Sequence, residues 1–375
     1  MITFLVFVVF FILLLIPFTL GIIELIKRRD AAPLFIDKNY TKDPRFFGKS
    51  FKLIMENAIG HDDLKPGFKT VKLSKDETVE IAPYKKIYAG EEGNHVSYII
   101  GDFVSTGKVR FKKEIYVKGD TAIGSENMFR AIACMGNVFI SEKTNIIRWV
   151  DAEGNIDVCR ECNLGISISC GGQLRISKHC RFKRLYGLPI ITTYDIPLII
   201  YNLHKITEKA EDYDMEPGGD KETGGTADMA WATNDKDLDR SRQINEITDT
   251  AWVINEKNSV IPPFTQIAKD FIIKRNLRVK RNCIFMGDIK TYGDLIIEKD
   301  VKIFGNVFSE RNIEIGHDTV ISGDVFSQGT VNIRERVKIG NSGKIKSVIG
   351  KKGIMLGRDV KIYGYVMTEG SGKIV

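Results

Sequence analysis

The sequence lacks the short motifs that mark the commonest catalytic and nucleotide-binding sites. It has no nucleophile elbow, no HExxH zinc motif, no Walker-type phosphate loop and no dinucleotide fingerprint. Histidine is scarce, and the chain holds five scattered residues: His61, His95, His179, His204 and His317. We therefore expect a protein that is not an enzyme, with no catalytic residue, no metal, no cofactor and no small-molecule substrate.

No Lys or Arg precedes the apolar run that opens the sequence, from Ile2 to Ile26. A secretory signal peptide has a basic start, a shorter apolar core and a small-residue cleavage site, so its features are missing here. The run is long enough for a helix to cross the hydrocarbon core of a bilayer. We predict one transmembrane helix within residues 1–30, with Phe4, Phe10, Leu14 and Ile22 among its lipid-facing residues.

The first charges after this run are Lys27, Arg28 and Arg29, which the positive-inside rule places in the cytoplasm. The bulk of the chain should then be cytoplasmic and the N-terminus outside. The net charge of +7 is a modest excess that neither requires nor excludes an anionic partner.

Two consecutive stretches of the chain nearly repeat: GDLIIEKDVKIFGNVFSE at 293–310 and RNIEIGHDTVISGDVFSQ at 311–328. Each repeat holds apolar pairs two residues apart that recur every six residues, as in Leu295 with Ile297 and Val301 with Ile303. Copies spaced by eighteen residues start at Asn137, Asn155 and Gln173, and again at Asn276, Asp294, Asn312 and Thr330.

Alternation over short stretches predicts strands with one buried face, and three such stretches per repeat predict a three-sided coil. A single coil cannot bury its inner side, so the core forms only when coils stack. Gly287, Gly305 and Gly323 recur at one corner, where a side chain would obstruct a tight bend. We predict an all-β fold, a β-helix (β-solenoid) of about 18 residues per coil, after the transmembrane helix.

Irregular copies extend the array at residues 115–123 and 354–366, and SYIIGDFV and ETVEIAPY fit either degenerate coils or a small β cap. An acidic, Gly-rich stretch containing GGDKETGG interrupts the array and is typical of a flexible loop. We expect the coils to close up beneath this insertion, so that the coil from Gln173 stacks on the coil from Asn276. The predicted regions are an anchor at 1–30, a linker and irregular β cap at 31–113, a first β-helix segment at 114–188, the insertion at 189–271 and a second β-helix segment at 272–375.

The repeat also bears on the CxxC of CRECN, formed by Cys159 and Cys162. Such a pair elsewhere indicates zinc or redox chemistry. However, Cys162, Cys180 and Cys283 occupy the offset that other coils give to residues such as Val301, which favours packing in the core.

Basic residues cluster on the coils from Gln173 and Asn276, which are predicted to stack on each other. The stacking set out above would place Arg175 against Arg278 and Lys178 against Arg281, and like charges directly opposed on neighbouring strands cost stability. Either the acidic insertion folds over these residues, or an anionic partner such as lipid or nucleic acid binds them. The alternative is a basic face that only contacts water.

The stretch GDIKTYGDLIIEKDVKIFGNVFSERNIEIGHDTVISGDVFSQGTVNI resembles the bactofilins, the polymer-forming bacterial cytoskeletal proteins. The resemblance covers residues 276–366 clearly and residues 115–185 more weakly. It implies a right-handed β-helix that assembles end to end into non-polar filaments without nucleotide. It also implies a position at the inner membrane, with self-association, the lipid bilayer and cell-envelope proteins as partners. The long insertion departs from the uninterrupted helix typical of that family.

The end coils of a solenoid carry unpaired backbone groups and apolar edges. The last recognisable coil, GIMLGRDVKIYGYVM, has no capping helix after it, so Ile354, Leu356, Tyr363 and Val366 are candidates for self-association. The alternative is that SGKIV and GKIKSVIGKK cover this end. Two other functions remain open: a membrane-tethered β-helix scaffold that does not polymerise, and a hexapeptide-type β-helix acyltransferase.

Overall fold

The computed structural model describes Phe4 and residues 43–60, 69–73, 77–83, 85–87, 90–196 and 259–375. Within these ranges the chain is an all-β solenoid of about 13 turns with about 18 residues per turn, which confirms the β-solenoid part of the predicted fold. The handedness that the family resemblance implies stays a prediction.

One helix and the strands of a first segment precede the insertion. Helix α1 spans Phe46–Ala58. The strands are β1 (Lys69–Lys72), β2 (Thr78–Ala82), β3 (Lys85–Ile87), β4 (Glu92–Gly93), β5 (Val96–Ile99), β6 (Phe103–Ser105), β7 (Arg110–Val117), β8 (Thr121–Ile123), β9 (Met128–Cys134), β10 (Val138–Ile140), β11 (Asn145–Ala152), β12 (Ile156–Val158), β13 (Ser167–Cys170), β14 (Leu174–Ser177) and β15 (Arg181–Thr193). The coils β2–β15 are called the first segment below.

The second segment comprises the strands that follow the insertion. They are β16 (Ser259–Ile261), β17 (Gln266–Ile267), β18 (Phe271–Ile273), β19 (Leu277–Val279), β20 (Ile284–Phe285), β21 (Ile289–Thr291), β22 (Leu295–Ile297), β23 (Lys302–Ile303), β24 (Val307–Ser309), β25 (Ile313–Ile315), β26 (Val320–Ile321), β27 (Val325–Ser327), β28 (Thr330–Ile333), β29 (Lys338–Ile339), β30 (Lys346–Gly350), β31 (Gly353–Leu356) and β32 (Lys361–Ile374).

Within each segment, equivalent strands of neighbouring coils pair in parallel. Leu295 aligns with Leu277 on one side and with Ile313 on the other, which is the register that the sequence repeat predicts. The inward offsets of this coil are all buried, from Leu295 to Val307. The alternating pattern therefore produces a continuous apolar core along the solenoid.

The prediction that a side chain would obstruct the glycine corner is confirmed. A side chain at Gly305 would collide with the carbonyl of Gly287, and one at Gly323 would collide with the carbonyl of Gly305. The corner that needs a left-handed backbone is a different one and carries other residues, such as Asp300 (φ 60°) and Asp318 (φ 57°).

At the glycine corner itself, the Asn or Asp residue that follows each glycine satisfies backbone groups of the next coil. The Asp288 carboxylate accepts a hydrogen bond from the Asn306 N–H (2.6 Å), and the Asn306 amide oxygen accepts one from the Asp324 N–H (2.9 Å). Each corner thus supplies an acceptor to the next coil, so the ladder ties adjacent coils together.

The prediction that the coil from Gln173 stacks on the coil from Asn276 is wrong. Leu174 aligns with Ile190 of β15, whereas Leu277 aligns with Ser259 and Leu295. Instead, β15 pairs antiparallel with β32, the last strand of the second segment. The two segments therefore meet at their last coils, and their coils progress toward this contact from opposite ends. We call the contact between β15 and β32 the junction.

The segment boundaries also differ from those predicted. The chain remains in the solenoid to Thr193 and re-enters it at Ser259, so both margins of the expected insertion belong to coils. SYIIGDFV and ETVEIAPY are coils, because β2 pairs in parallel with β5, and β6 pairs in parallel with β8. A short cap is present as well, since β1 pairs antiparallel with β2.

Helix α1 lies on the outer side of β7, β9 and β11. Met55 of the helix and Ile59, which directly follows it, are buried in a second apolar cluster with outward side chains of these strands, including Tyr116 and Trp149. The Phe51 ring meets the Trp149 ring edge to face, with 5.7 Å between ring centroids. The helix and both segments belong to one compact unit, Lys42–Val375.

A search of the described residues finds no helix long and apolar enough to span a bilayer. The predicted anchor lies outside those residues except for Phe4, which is helical and exposed. Phe10, Leu14 and Ile22 are therefore not described.

Candidate functional site

The junction is a complete coil-on-coil contact. Leu185 faces Val366, Ile190 faces Ile362 and Arg181 faces Lys373, so the pairing passes all three sides of the solenoid. The apolar members of these pairs are fully buried. Two open solenoid ends are thereby closed against each other, and the core of one segment continues into that of the other.

The buried hydroxyl of Thr192 adds side-chain hydrogen bonds to this contact. Its Oγ1 donates to the Gly357 carbonyl at 2.6 Å and accepts from the Val360 N–H at 2.9 Å. The backbone contributes as well, since the Ile374 N–H donates to the Cys180 carbonyl at 3.0 Å.

The junction corrects the predicted self-association site. Ile354, Leu356 and Val366 are buried, and Tyr363 is partly buried. We expected the coil that contains them to be an open end, but the last residues of β32 pair with β31, and β15 pairs with β32. SGKIV takes part in this closure, because Lys373 lies opposite Arg181.

The structure does not bring the predicted basic residues together by strand pairing. Arg175 lies on β14, opposite Asp157 and Ile191, whereas Arg278 lies on β19, opposite Val260 and Ile296. Since β19 is several coils from the junction, the expected repulsion between like charges does not arise.

Three of these four basic residues have partners within the molecule. Arg175 forms a two-point ion pair with Asp157, at 2.6 and 2.5 Å, and this hydrogen bonding raises the pKa of Arg175. The Lys178 ammonium lies 3.4 Å from the centroid of the Tyr194 ring, and Arg278 lies 3.7 Å from a Glu298 oxygen. An anionic partner for these residues and for Arg281 stays a prediction.

The core-packing interpretation of the cysteines is confirmed. Cys162, Cys180 and Cys283 are buried at equivalent inward offsets, and all six cysteines carry free thiols. Burial raises the pKa of Cys134 and Cys170 to about 12, so these thiols stay protonated at neutral pH. Among the described residues, no group of three His, Cys, Asp or Glu residues is arranged to hold a metal ion.

The described histidines lie in turns or at the surface. His179 has a left-handed backbone (φ 62°) at a corner just before Cys180, and His317 lies in the turn between β25 and β26. His95 is exposed, while His61 and His204 lie outside the described residues.

Among the described residues, an open end lies at the other terminus of the second segment. Its starting coil comprises β16, β17 and β18 (Ser259–Ile273), and each of these strands pairs with the following coil. No strand in the described part of the chain pairs with their other edges. Large apolar side chains are exposed there, including Phe264 and Ile272.

Two further details distinguish the starting coil from the coils that follow it. The Ser259 hydroxyl is buried without a hydrogen-bond partner among the described residues, at the offset where later coils carry Leu277 and Leu295. Pro262 occupies the offset of Lys280, whose N–H donates to the preceding coil. Because proline has no N–H, this corner of the open edge presents no donor.

The start of α1 is held by a buried ion pair. Arg45 donates to both Asp151 carboxylate oxygens at 2.9 Å and to Glu153 at 2.8 Å. Burial lowers the pKa of Arg45, but the hydrogen bonds to Asp151 and Glu153 outweigh it and raise the pKa. Burial raises the pKa of Asp151 despite these bonds, whereas the hydrogen bond from Arg45 lowers the pKa of Glu153.

Sequence reasoning missed both the junction and α1. A signal for α1 exists, because Phe51, Met55 and Ile59 recur every four residues, as on one side of a helix. A weaker signal for the junction is that alternation continues through LPIITT beyond the expected end of the first segment. Comparison with known proteins found no matching family model, no matching curated protein and no matching solved structure.

Proposed function

We propose that this protein is a membrane-associated structural protein that assembles with further copies of itself through the starting coil of its second segment. The observation that carries the proposal is the junction, where two solenoid ends of this chain join by backbone pairing around a whole coil. The starting coil presents an edge of the same kind.

The backbone of the starting coil can accept a further coil. The Phe271 N–H donates to the Asp288 carbonyl of the next coil at 2.8 Å. Since N–H groups alternate along a strand, the Ile272 N–H points out of the open edge. Ile261 and Ile273 supply the apolar edge of the core behind it. Assembly there needs no nucleotide, because backbone pairing and apolar burial drive it.

Further support comes from the sequence. The apolar run at Ile2–Ile26, followed by Lys27, Arg28 and Arg29, favours a single-pass inner-membrane protein with its bulk in the cytoplasm. The resemblance to bactofilins favours the same position, and cell-envelope proteins as further partners. The site of self-association moves, however, from the coil of Leu356 to the starting coil, because the junction already occupies the former.

The test compares the full chain with the variants Ile272→Pro and Ile272→Thr in detergent or nanodiscs. Both substitutions remove the isoleucine side chain. Proline also removes the outward N–H, whereas threonine keeps it. Sedimentation velocity and negative-stain microscopy should show higher oligomers or filaments for the native chain and for Ile272→Thr. The Ile272→Pro variant should remain a single molecule with an unchanged melting temperature, because proline is tolerated on edge strands.

A native chain that stays monodisperse at every concentration would refute assembly. It would favour a second candidate function, a membrane-tethered scaffold that does not polymerise. The observation that favours this second candidate is Pro262, followed by Pro263, because proline on an edge strand limits pairing with a further strand.

A further inference from the structure

Helix α1 is apolar on two opposite sides. One side, with Gly48, Phe51 and Met55, packs on the first segment. The other side exposes four large apolar residues: Phe46 (59 % exposed), Phe47 (38 %), Leu53 (59 %) and Ile54 (52 %). A surface helix normally has one apolar side, so a second exposed one indicates an interaction surface.

The exposed side is held rigidly. Gly48 lies so close to the Asp151 side chain that a Cβ atom at Gly48 would collide with it. The Arg45 ion pair with Asp151 and Glu153 fixes the start of the helix. The four residues therefore form a fixed patch on the solenoid, which we call the α1 patch.

A mainly apolar cavity of about 400 Å³ continues this patch toward the junction. The residues that line it are Asp43, Pro44, Phe46, Phe47, Ser167, Arg184 and Tyr365. Arg184 forms no ion pair within the described part of the chain. Lys49 and Lys52 flank the patch on α1, and Lys49 pairs with Asp43 at 2.6 Å.

We propose that the α1 patch rests on the surface of an anionic lipid bilayer, with the four apolar side chains at the level of the acyl chains and Arg184 at the level of the headgroups. An exposed apolar strip beside unpaired basic charge is the pattern of helices that lie in a membrane interface. Such a contact orients the first segment with the outer side of β7, β9 and β11 toward the membrane.

The anchor of the proposed function would keep this patch near a membrane, and this one step rests on that proposal. Residue 46 follows the apolar run at Ile2–Ile26 by so few residues that the link spans at most about 70 Å when fully extended. The contact is distinct from the proposed anchor and from assembly, because it uses neither residues 1–30 nor the starting coil.

The test places a fluorescent label at Leu53→Cys in the full chain, and at Phe304→Cys as the matched control. Phe304 is similarly exposed (51 %) but lies in the second segment, and the six native thiols are buried and free, so labelling is selective. The probe is vesicles of phosphatidylcholine, with or without phosphatidylglycerol, that carry a lipid-borne quencher. Both variants also carry Ile272→Pro, so that the outcome does not depend on self-assembly.

The expected result is strong quenching of the label at position 53 and none at position 304. Adding Phe46→Ser and Phe47→Ser should reduce the quenching to the control level, since each side chain contributes about tenfold to the docking equilibrium. Replacing Arg184 by Gln should weaken docking about fivefold on vesicles with phosphatidylglycerol and leave it unchanged on phosphatidylcholine alone.

Equal quenching at the two positions would overturn the proposal, as would a protein that does not float with the vesicles. A disulfide between two copies of the unlabelled Leu53→Cys variant, formed without quenching of the labelled one, would assign the patch to a second copy and overturn it as well. A variant without residues 1–30 that still floats with the vesicles, and whose label at position 53 is quenched, would support the proposal independently of the anchor.

Discussion

The first segment carries added covers, whereas the second repeats one coil with few additions. Helix α1 lies on one side of the first segment, and β1 closes part of its start. Its register also shifts twice, between Phe111 and Glu114 and between Ile146 and Trp149. The second segment keeps the eighteen-residue spacing from β16 to β29 without a shift.

The charged groups of the two segments differ in the same way. A buried ion pair, called the clasp below, joins Arg45 at the start of α1 to Asp151 on β11 of the first segment. In the second segment, ion pairs such as Arg336 with Asp318 (2.7 Å) lie on the exposed surface. The comparison indicates that regular coils hold together through repetition, while an irregular stretch needs specific buried contacts.

The junction is the contact whose loss should have the largest effect. Leu185→Asp places a carboxylate in the core between the segments, and we expect a loss of at least about 4 kcal/mol in the free energy of unfolding. Urea denaturation followed by circular dichroism should also split into two transitions, because the segments no longer share a core. The matched control is Leu188→Asp on the same strand, which is exposed and should cost less than about 1 kcal/mol. Equal losses would mean that the junction does not couple the segments.

The buried clasp comes next. Arg45→Met leaves the Asp151 carboxylate buried without its cation, which should cost about 3 kcal/mol at neutral pH. The loss should shrink as the pH falls, because burial raises the pKa of Asp151 and protonation removes the unpaired charge.

Two further variants sharpen this measurement by urea denaturation. Adding Asp151→Asn to Arg45→Met should restore most of the stability. Arg336→Met removes an exposed pair of the second segment, and solvent screening should make its loss much smaller than that of Arg45→Met. A clasp variant that loses no more than Arg336→Met would remove the distinction between the segments.

Alkaline pH should weaken the first segment more than the second. Burial raises the pKa of Cys134 and Cys170 to about 12, so these thiols ionise in the unfolded chain from about pH 9 but stay protonated in the folded one. Stability should then fall as the pH rises between these values, by about 3 kcal/mol in all at about pH 10. The double variant Cys134→Ala and Cys170→Ala should lose this part of the pH dependence. Unaltered alkaline sensitivity in that variant would assign the effect to other groups.

The smallest expected effect concerns one hydroxyl at the junction. Thr192→Val leaves the Val360 N–H and the Gly357 carbonyl without that partner, which should cost about 1.5 kcal/mol. Thr193→Val is the neighbouring control, since the Thr193 hydroxyl bonds only to the nearby Asp195 carbonyl among described residues. A double-mutant cycle with Leu185→Ala should show coupling for Thr192 and none for Thr193.

The coil could be predicted because its signal is local and repeated. Leu295, Ile297 and Val301 define inward offsets that every neighbouring coil copies, so the register follows from the spacing alone. The cysteines could be assigned to the core by the same argument, and Cys162 and Cys283 are buried as expected.

The junction could not be predicted in this way because a coil pattern does not encode the direction of the chain. Leu174 and Leu277 have the same offset, so either coil fits on the other by pattern alone. The outcome depends on which ends meet, and that is a long-range choice between β15 and β32. The clasp depends on a similar pairing of distant residues, Arg45 and Asp151, which no local period connects.

The junction also has a consequence for biosynthesis. Thr192 and its partner Gly357 are 165 residues apart in the chain. At typical rates of translation, β15 leaves the ribosome roughly 10 to 30 s before β32 is made. During that interval the first segment presents an unpaired, apolar coil edge to solvent, and such edges promote aggregation. The residues between Thr192 and Gly357, which include the second segment from β16 to β31, thus set how long the nascent chain needs protection.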